Sequence, residues 1–102
     1  MDGWKNNGLS KAVRIIDAKA LRDAAKPYCE ACGSSMGPIS AHHIIHRSFQ
    51  RLDIASNLVA LCIPCHEKAH KDKAFAHELL MGKDVADLSK LRTLAPTWSG
   101  WE

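Results

Sequence analysis

The sequence predicts an α+β fold: one leading helix, two short strands and a run of helices, stapled by a bound metal ion. Three observations predict it. The chain has only 102 residues, so a single small domain buries limited surface and needs a staple. Its four cysteines fall in two C-x-x-C pairs, Cys29/Cys32 and Cys62/Cys65. Its apolar spacing is helical at both ends and strand-like between them.

In chain order, Leu9, Val13, Ile16, Ala20 and Ala24 recur every three or four residues, predicting a helix over 9–26 that Pro27 stops. Lys11, Arg14, Lys19, Arg22 and Lys26 fill the rest of it, as either a solvated face or a phosphate-tracking one. Residues 29–37 are turn-rich, with Gly33 directly after the first cysteine pair. Residues 39–45 form a first strand, and Leu58, Val59, Ala60 and Leu61 a second. Pro64 suits a first helical turn, so a helix runs over 64–71. Apolar residues continue through Phe75, Leu79, Leu80 and Met81 until Gly82 breaks the run. Asp84 caps a last helix carrying Val85, Leu88 and Leu91, which Pro96 ends. The division expected is thus a helix at 9–26, a stapled core at 27–71 and a helical segment at 72–95, with Trp98 and Trp101 packing back or docking a partner.

Neither a secretory signal nor an apolar run long enough for a membrane span is visible, so a reducing cytoplasm is expected. There, paired cysteines read as metal ligands rather than disulfides. Two C-x-x-C knuckles complete a closed S4 site suited to zinc; a redox pair or an iron–sulfur cluster is the rival. The formal charge of +3 is compatible with a polyanionic partner without requiring one.

Six histidines are present. His42 and His43 are adjacent and point to opposite faces of a strand. His66 and His70 are four apart and share one helix face, either gripping a metal ion or standing free in solvent. His77 reads as a surface residue.

The run from Ala41 through His42, His43, Ile44 and Ile45, then Asn57 through Leu61 to Cys62, Cys65 and His66, then His70, resembles the His-Asn-His (HNH) endonucleases of the ββα-metal type. The branch with flanking C-x-x-C pairs is common among phage and bacterial proteins. The resemblance covers about residues 27–71. It implies a metal-dependent DNA endonuclease, a phosphodiester hydrolase of low sequence specificity that nicks or cuts both strands. It implies His43 as general base, and His42, His66 and, as in some members of the family, His70 as ligands of a catalytic divalent ion: Mg²⁺, or a transition ion such as Mn²⁺, Ni²⁺ or Zn²⁺. Asn57 either ties the loop and orients the base or touches the metal. A structural Zn²⁺ belongs on the cysteines. Arg47 is either a phosphate contact or a solvated loop residue, as is His46, and Arg51, Lys68, Lys71 and Lys73 are candidates for the DNA path. The expected setting is a bacterial cytoplasm, with DNA as partner, a phage packaging or restriction assembly beside it, and a monomer or weak dimer. The alternative is a non-catalytic, zinc-stapled nucleic-acid-binding or assembly module.

Overall fold

A computed structural model describes residues 13–101. Helix α1 spans Ala18–Ala24, strand β1 Ile39–His43, strand β2 Leu58–Cys62, and helices α2, α3 and α4 span Ile63–Lys71, Lys73–Met81 and Val85–Leu94. Short 3-10 turns occupy Ala55–Asn57 and Ser99–Trp101. The fold is α+β, and β1, β2 and α2 form the ββα unit that the resemblance implies.

The helix expected over 9–26 is shorter. Residues 9–12, with Lys11, lie outside the described residues, and Val13 to Ile16 are extended rather than helical. Ile15 forms an isolated parallel bridge with Leu52. Its N–H donates to the Arg51 carbonyl and its own carbonyl accepts from the Asp53 N–H, both at 2.9 Å. Asp17 then caps α1, its side chain accepting from the N–H groups of Lys19 and Ala20. β-branched Val13, Ile15 and Ile16 accept the extended backbone readily, and an aspartate competes with the helix for its own N–H groups. The helical stripe is therefore broken: Val13 and Ile16 are 45% and 61% exposed. At the other end α1 stops at Ala24, because Pro27 disfavours helical backbone at Lys26.

β1 and β2 pair antiparallel, with His42 opposite Val59 and His43 opposite Leu58. Every residue of β2 is buried, as its unbroken apolar run suggests. β1 ends at His43, two residues sooner than expected, because Asn57 takes the next donors. The Ile44 N–H donates to the Asn57 carbonyl at 2.9 Å and the Ile45 N–H to Asn57 Oδ1 at 2.7 Å. Asn57 Nδ2 donates to the carbonyls of Ile45 and Leu52 at 3.2 and 3.0 Å. All of its side-chain capacity in these bonds goes to closing the loop between the strands, and the residue is fully buried. Replacing Asn57 with Ala strands three buried backbone groups. An expected loss of about 3 kcal/mol or more follows, at about 1–3 kcal/mol per unsatisfied group, to be read from urea unfolding of the zinc-loaded protein.

The core joins Ile44, Ile45, Leu52 and Leu61 to Leu80 of α3 and Leu91 of α4. Asp72 caps α3 and Asp84 caps α4, each through its side chain. Gln50 ties three segments together, its Nε2 donating to the carbonyls of Val13 and Leu94 at 2.8 and 3.0 Å. The tryptophans pack back. Trp98 and Trp101 meet edge to face at 5.2 Å, and Trp101 Nε1 donates to the Ala95 carbonyl at 2.7 Å. No helix among the described residues is long and apolar enough to cross a membrane.

Candidate active site and metal centres

The two cysteine pairs come together. Their four sulfurs all lie within 4.8 Å of one another, and Cys32 and Cys62 Sγ are 3.7 Å apart. Tetrahedral zinc with Zn–S bonds of about 2.3 Å sets sulfurs about 3.8 Å apart, so the residues present fit that ion. Local chain chemistry builds each knuckle. Gly33 turns the first with φ +79°, a conformation that a side chain would strain although space is open there. Its N–H donates to the Cys29 carbonyl at 2.8 Å. The Glu30 N–H donates to the Ala60 carbonyl, and Glu30 Oε2 accepts from the Ala60 N–H at 2.7 Å, so the first knuckle is clipped to β2. Cys62 caps α2, with proline in the first turn after it. Burial works against ionising Cys29, but the backbone N–H groups of Cys62, Cys32 and Ala31 outweigh it and bring that thiol down to about 6. Burial and the neighbouring sulfurs push Cys65 up. A dication among the four sulfurs removes that conflict. The quartet is a candidate structural metal site.

A second cluster lies where β1 faces α2. One ligand atom each from His42, His66 and His70 falls within 4.8 Å of the others. The ring centroids are 4.8 Å apart for His42 and His66, 5.3 Å for His42 and His70, and 5.0 Å for His66 and His70. The i, i+4 pair on α2 supplies two imidazoles on one face, and buried His42 supplies the third from the strand. Burial first, and then the neighbouring His66, His70, His46 and His43, push the His42 imidazole down to about 3. His66 is lowered by burial and then by His70 and His46. Protons therefore compete weakly for His42 and His66, and imidazole nitrogens in this arrangement suit a divalent ion.

His43 sits beside that cluster on a separate support. Its Nε2 lies 2.7 Å from Asp53 Oδ1. Asp53 is fully buried. Arg51 grips it, with Nε 3.1 Å and Nη2 3.0 Å from Oδ2, and the Asp17 N–H donates to it at 3.0 Å. Burial alone would raise this carboxyl. The hydrogen bonds from Arg51, His43 and Asp17, with the Arg51 charge, hold it down to about 2. A carboxylate can only accept, so Nε2 of His43 carries the hydrogen of this bond, and in the neutral ring the free lone pair is on Nδ1. The ionised form of Asp53 stabilises the fold above the ordinary carboxylate value, and that contribution fades as pH falls towards about 2.

His42 and His43 both line a cleft of about 740 Å³, together with His66, His70, Arg22 and Arg47. Asp53 is a site residue that the sequence motifs do not single out, and Arg51, a candidate for the DNA path, grips it through its guanidinium. One sign was present: Asp53 is a lone charge between Leu52 and Ile54, and a buried charge demands partners. Two cations of the N-terminal face are also paired, Lys19 with Asp23 and Lys26 with Glu30, which leaves Arg22 as the one from α1 in the cleft. Lys68 lies over the Phe75 ring at 4.7 Å. His77 is exposed. Asn57 is not among the residues that line the cleft, and its side chain is bonded to the loop backbone.

Residues 29–72 match the HNH endonuclease family model. The matched HNH segment contains both cysteine pairs, all three clustered histidines, His43, Asp53 and Asn57, and it supports a nuclease function in general. No curated protein and no solved structure matches the chain. α1 and the Val13–Asp17 stretch, whose backbone supports Asp53, lie outside the HNH segment.

Proposed function

We propose that the chain is a metal-dependent DNA endonuclease of one HNH domain. The observation that carries this reading is the placement in one cleft of His43, oriented by its bond to Asp53, beside three imidazoles whose ligand nitrogens lie within 4.8 Å of one another. His43 Nδ1 takes a proton from the water that attacks phosphorus. The bond from phosphorus to the 3′ oxygen breaks, leaving 5′-phosphate and 3′-hydroxyl ends, and the 3′ oxygen is protonated from solvent. As His43 becomes cationic, the Asp53 carboxylate stabilises it and keeps the ring aimed. His42, His66 and His70 would hold the divalent ion, which when bound neutralises charge on the phosphate and the leaving oxygen. Arg47 and Arg22, exposed in the same cleft, offer donors to phosphate oxygens.

Supercoiled plasmid incubated with the zinc-loaded protein is expected to relax in Mg²⁺, Mn²⁺ or Ni²⁺ and to stay supercoiled in EDTA. No relaxation with any of these ions would favour the non-catalytic binding module instead.

Asp53 acts here as a positioning residue, since it touches His43 and not the substrate. Asp53→Asn keeps a hydrogen-bond acceptor but loses the charge facing the His43 cation. The difference between a charged and a neutral hydrogen bond, about 1–2 kcal/mol, corresponds to a kcat lower by roughly tenfold. KM should be little changed. A parallel rise in KM would instead mean a distorted cleft.

A further inference from the structure

We propose that His46 is a fourth, displaceable ligand of the histidine cluster, closing it into a four-imidazole centre for a transition ion such as Zn²⁺. The inference rests on the reading that His42, His66 and His70 hold a divalent ion. His46 lies on the exposed turn after β1. Its ring centroid is 5.0 Å from that of His70 and 5.8 Å from that of His42. With metal–nitrogen bonds of about 2.0–2.1 Å, imidazoles at the corners of a tetrahedron have ring centroids about 5 Å apart. The separations among His42, His66 and His70, 4.8 to 5.3 Å, and those of His46 from His70 and His42, 5.0 and 5.8 Å, are all close to that value, so His46 stands where a fourth imidazole can join the other three.

It is not held there. Among the described residues, the ligand atoms within 4.8 Å of one another at this site come from His42, His66 and His70, and the exposed residues His46, Arg47 and Ser48 line the same cleft. His42 is buried on β1, whereas the exposed His46 ring has room to turn towards the corner. Four nitrogen donors favour zinc, nickel or copper over magnesium, which prefers oxygen and keeps its waters. A closed tetrahedron also leaves no position for a phosphate oxygen. A substrate phosphate entering between Arg22 and Arg47 therefore competes with His46 for the same corner. The turn after β1 becomes the element that selects the ion and guards the open position.

The test uses the full chain with its cysteine quartet filled by one equivalent of Zn²⁺, then titrated at the second site with Zn²⁺ or with Co²⁺ as probe. His46→Ala is expected to bind the second Zn²⁺ roughly 10–100-fold more weakly than wild type, at least the loss seen for supporting partners of metal ligands. Its Co²⁺ form should show one fewer paramagnetically shifted imidazole N–H resonance. His46 is exposed, so circular dichroism should be unchanged. If His46→Ala matches wild type in both measurements while His42→Ala loses the second site, the fourth ligand is wrong and the three-histidine site stands. If His42→Ala also keeps the second site, the three-histidine reading itself is overturned.

Discussion

His43→Ala is expected to lower plasmid relaxation by about 10²–10⁴-fold, the usual contribution of a positioned general base, while leaving both metal sites loaded. The separation follows from the geometry. The His43 ring bonds to Asp53 at 2.7 Å and is absent from the group of imidazoles within 4.8 Å. On the proposed mechanism, removing it takes away the proton acceptor without removing a ligand. His42→Ala is the informative contrast, because it should lose activity together with the second metal ion. Measured side by side, zinc content, second-site metal affinity and relaxation rate distinguish a base from a ligand at adjacent positions. Equal relaxation by wild type and His43→Ala would sink the assignment of the base. Loss of activity accompanied by loss of the second ion would make His43 a ligand instead.

The adjacency of His42 and His43 was legible because strand periodicity sends neighbours to opposite faces. The pairing of His66 with His70 was legible because a helix returns to the same face after four residues. The cysteine quartet and the cap at Asp84 were legible for the same reason: local spacing and residue type carry them. What holds His43 was not. Asp53 meets His43 across ten positions and the Asp17 N–H across 36, and no periodicity reports contacts between an extended lead-in and an interstrand loop. The lead-in itself misled, since Val13, Ile16 and Ala20 fall at helical intervals while Ile15 is claimed by the backbone beside Leu52. Tertiary pairing and the Asp17 cap overrode a spacing pattern that propensity alone supports weakly. Arg51 looked like a spare cation because its partner is buried only in the folded chain. His46 differs again. Its position in sequence leaves it either a phosphate contact or a solvated loop residue, and the ring separations relate it to the histidine cluster.

Cys32→Ser tests the staple that makes the rest of the site possible, and its expected effect is loss of the folded state. Cys32 is the exposed member of the quartet, whereas Cys29 and Cys62 are buried. Serine there is nearly isosteric and opens no cavity, so any collapse is attributable to the missing thiolate. The bridge joins sulfurs 30 positions apart in sequence. By loop-closure entropy, a crosslink of that span is worth about 3.5 kcal/mol, and structural zinc binding itself contributes about 10–16 kcal/mol in small zinc-dependent folds. Either figure is large against the total stability of about 5–15 kcal/mol typical of a domain. Within the closed loop lie His42, His43, His46, Asp53 and Asn57, so unlinking its ends frees the base, its support and part of the second metal site together. Wild type should retain about one zinc per chain through mild chelation. Cys32→Ser should retain none, lose its cooperative urea transition and lose plasmid relaxation. His43→Ala, by contrast, should lose relaxation while keeping both the zinc and the transition. A wild-type chain free of zinc yet cooperatively folded, or a Cys32→Ser chain that unfolds like wild type, would show that the core of Leu52, Leu61, Leu80 and Leu91 stands without the staple.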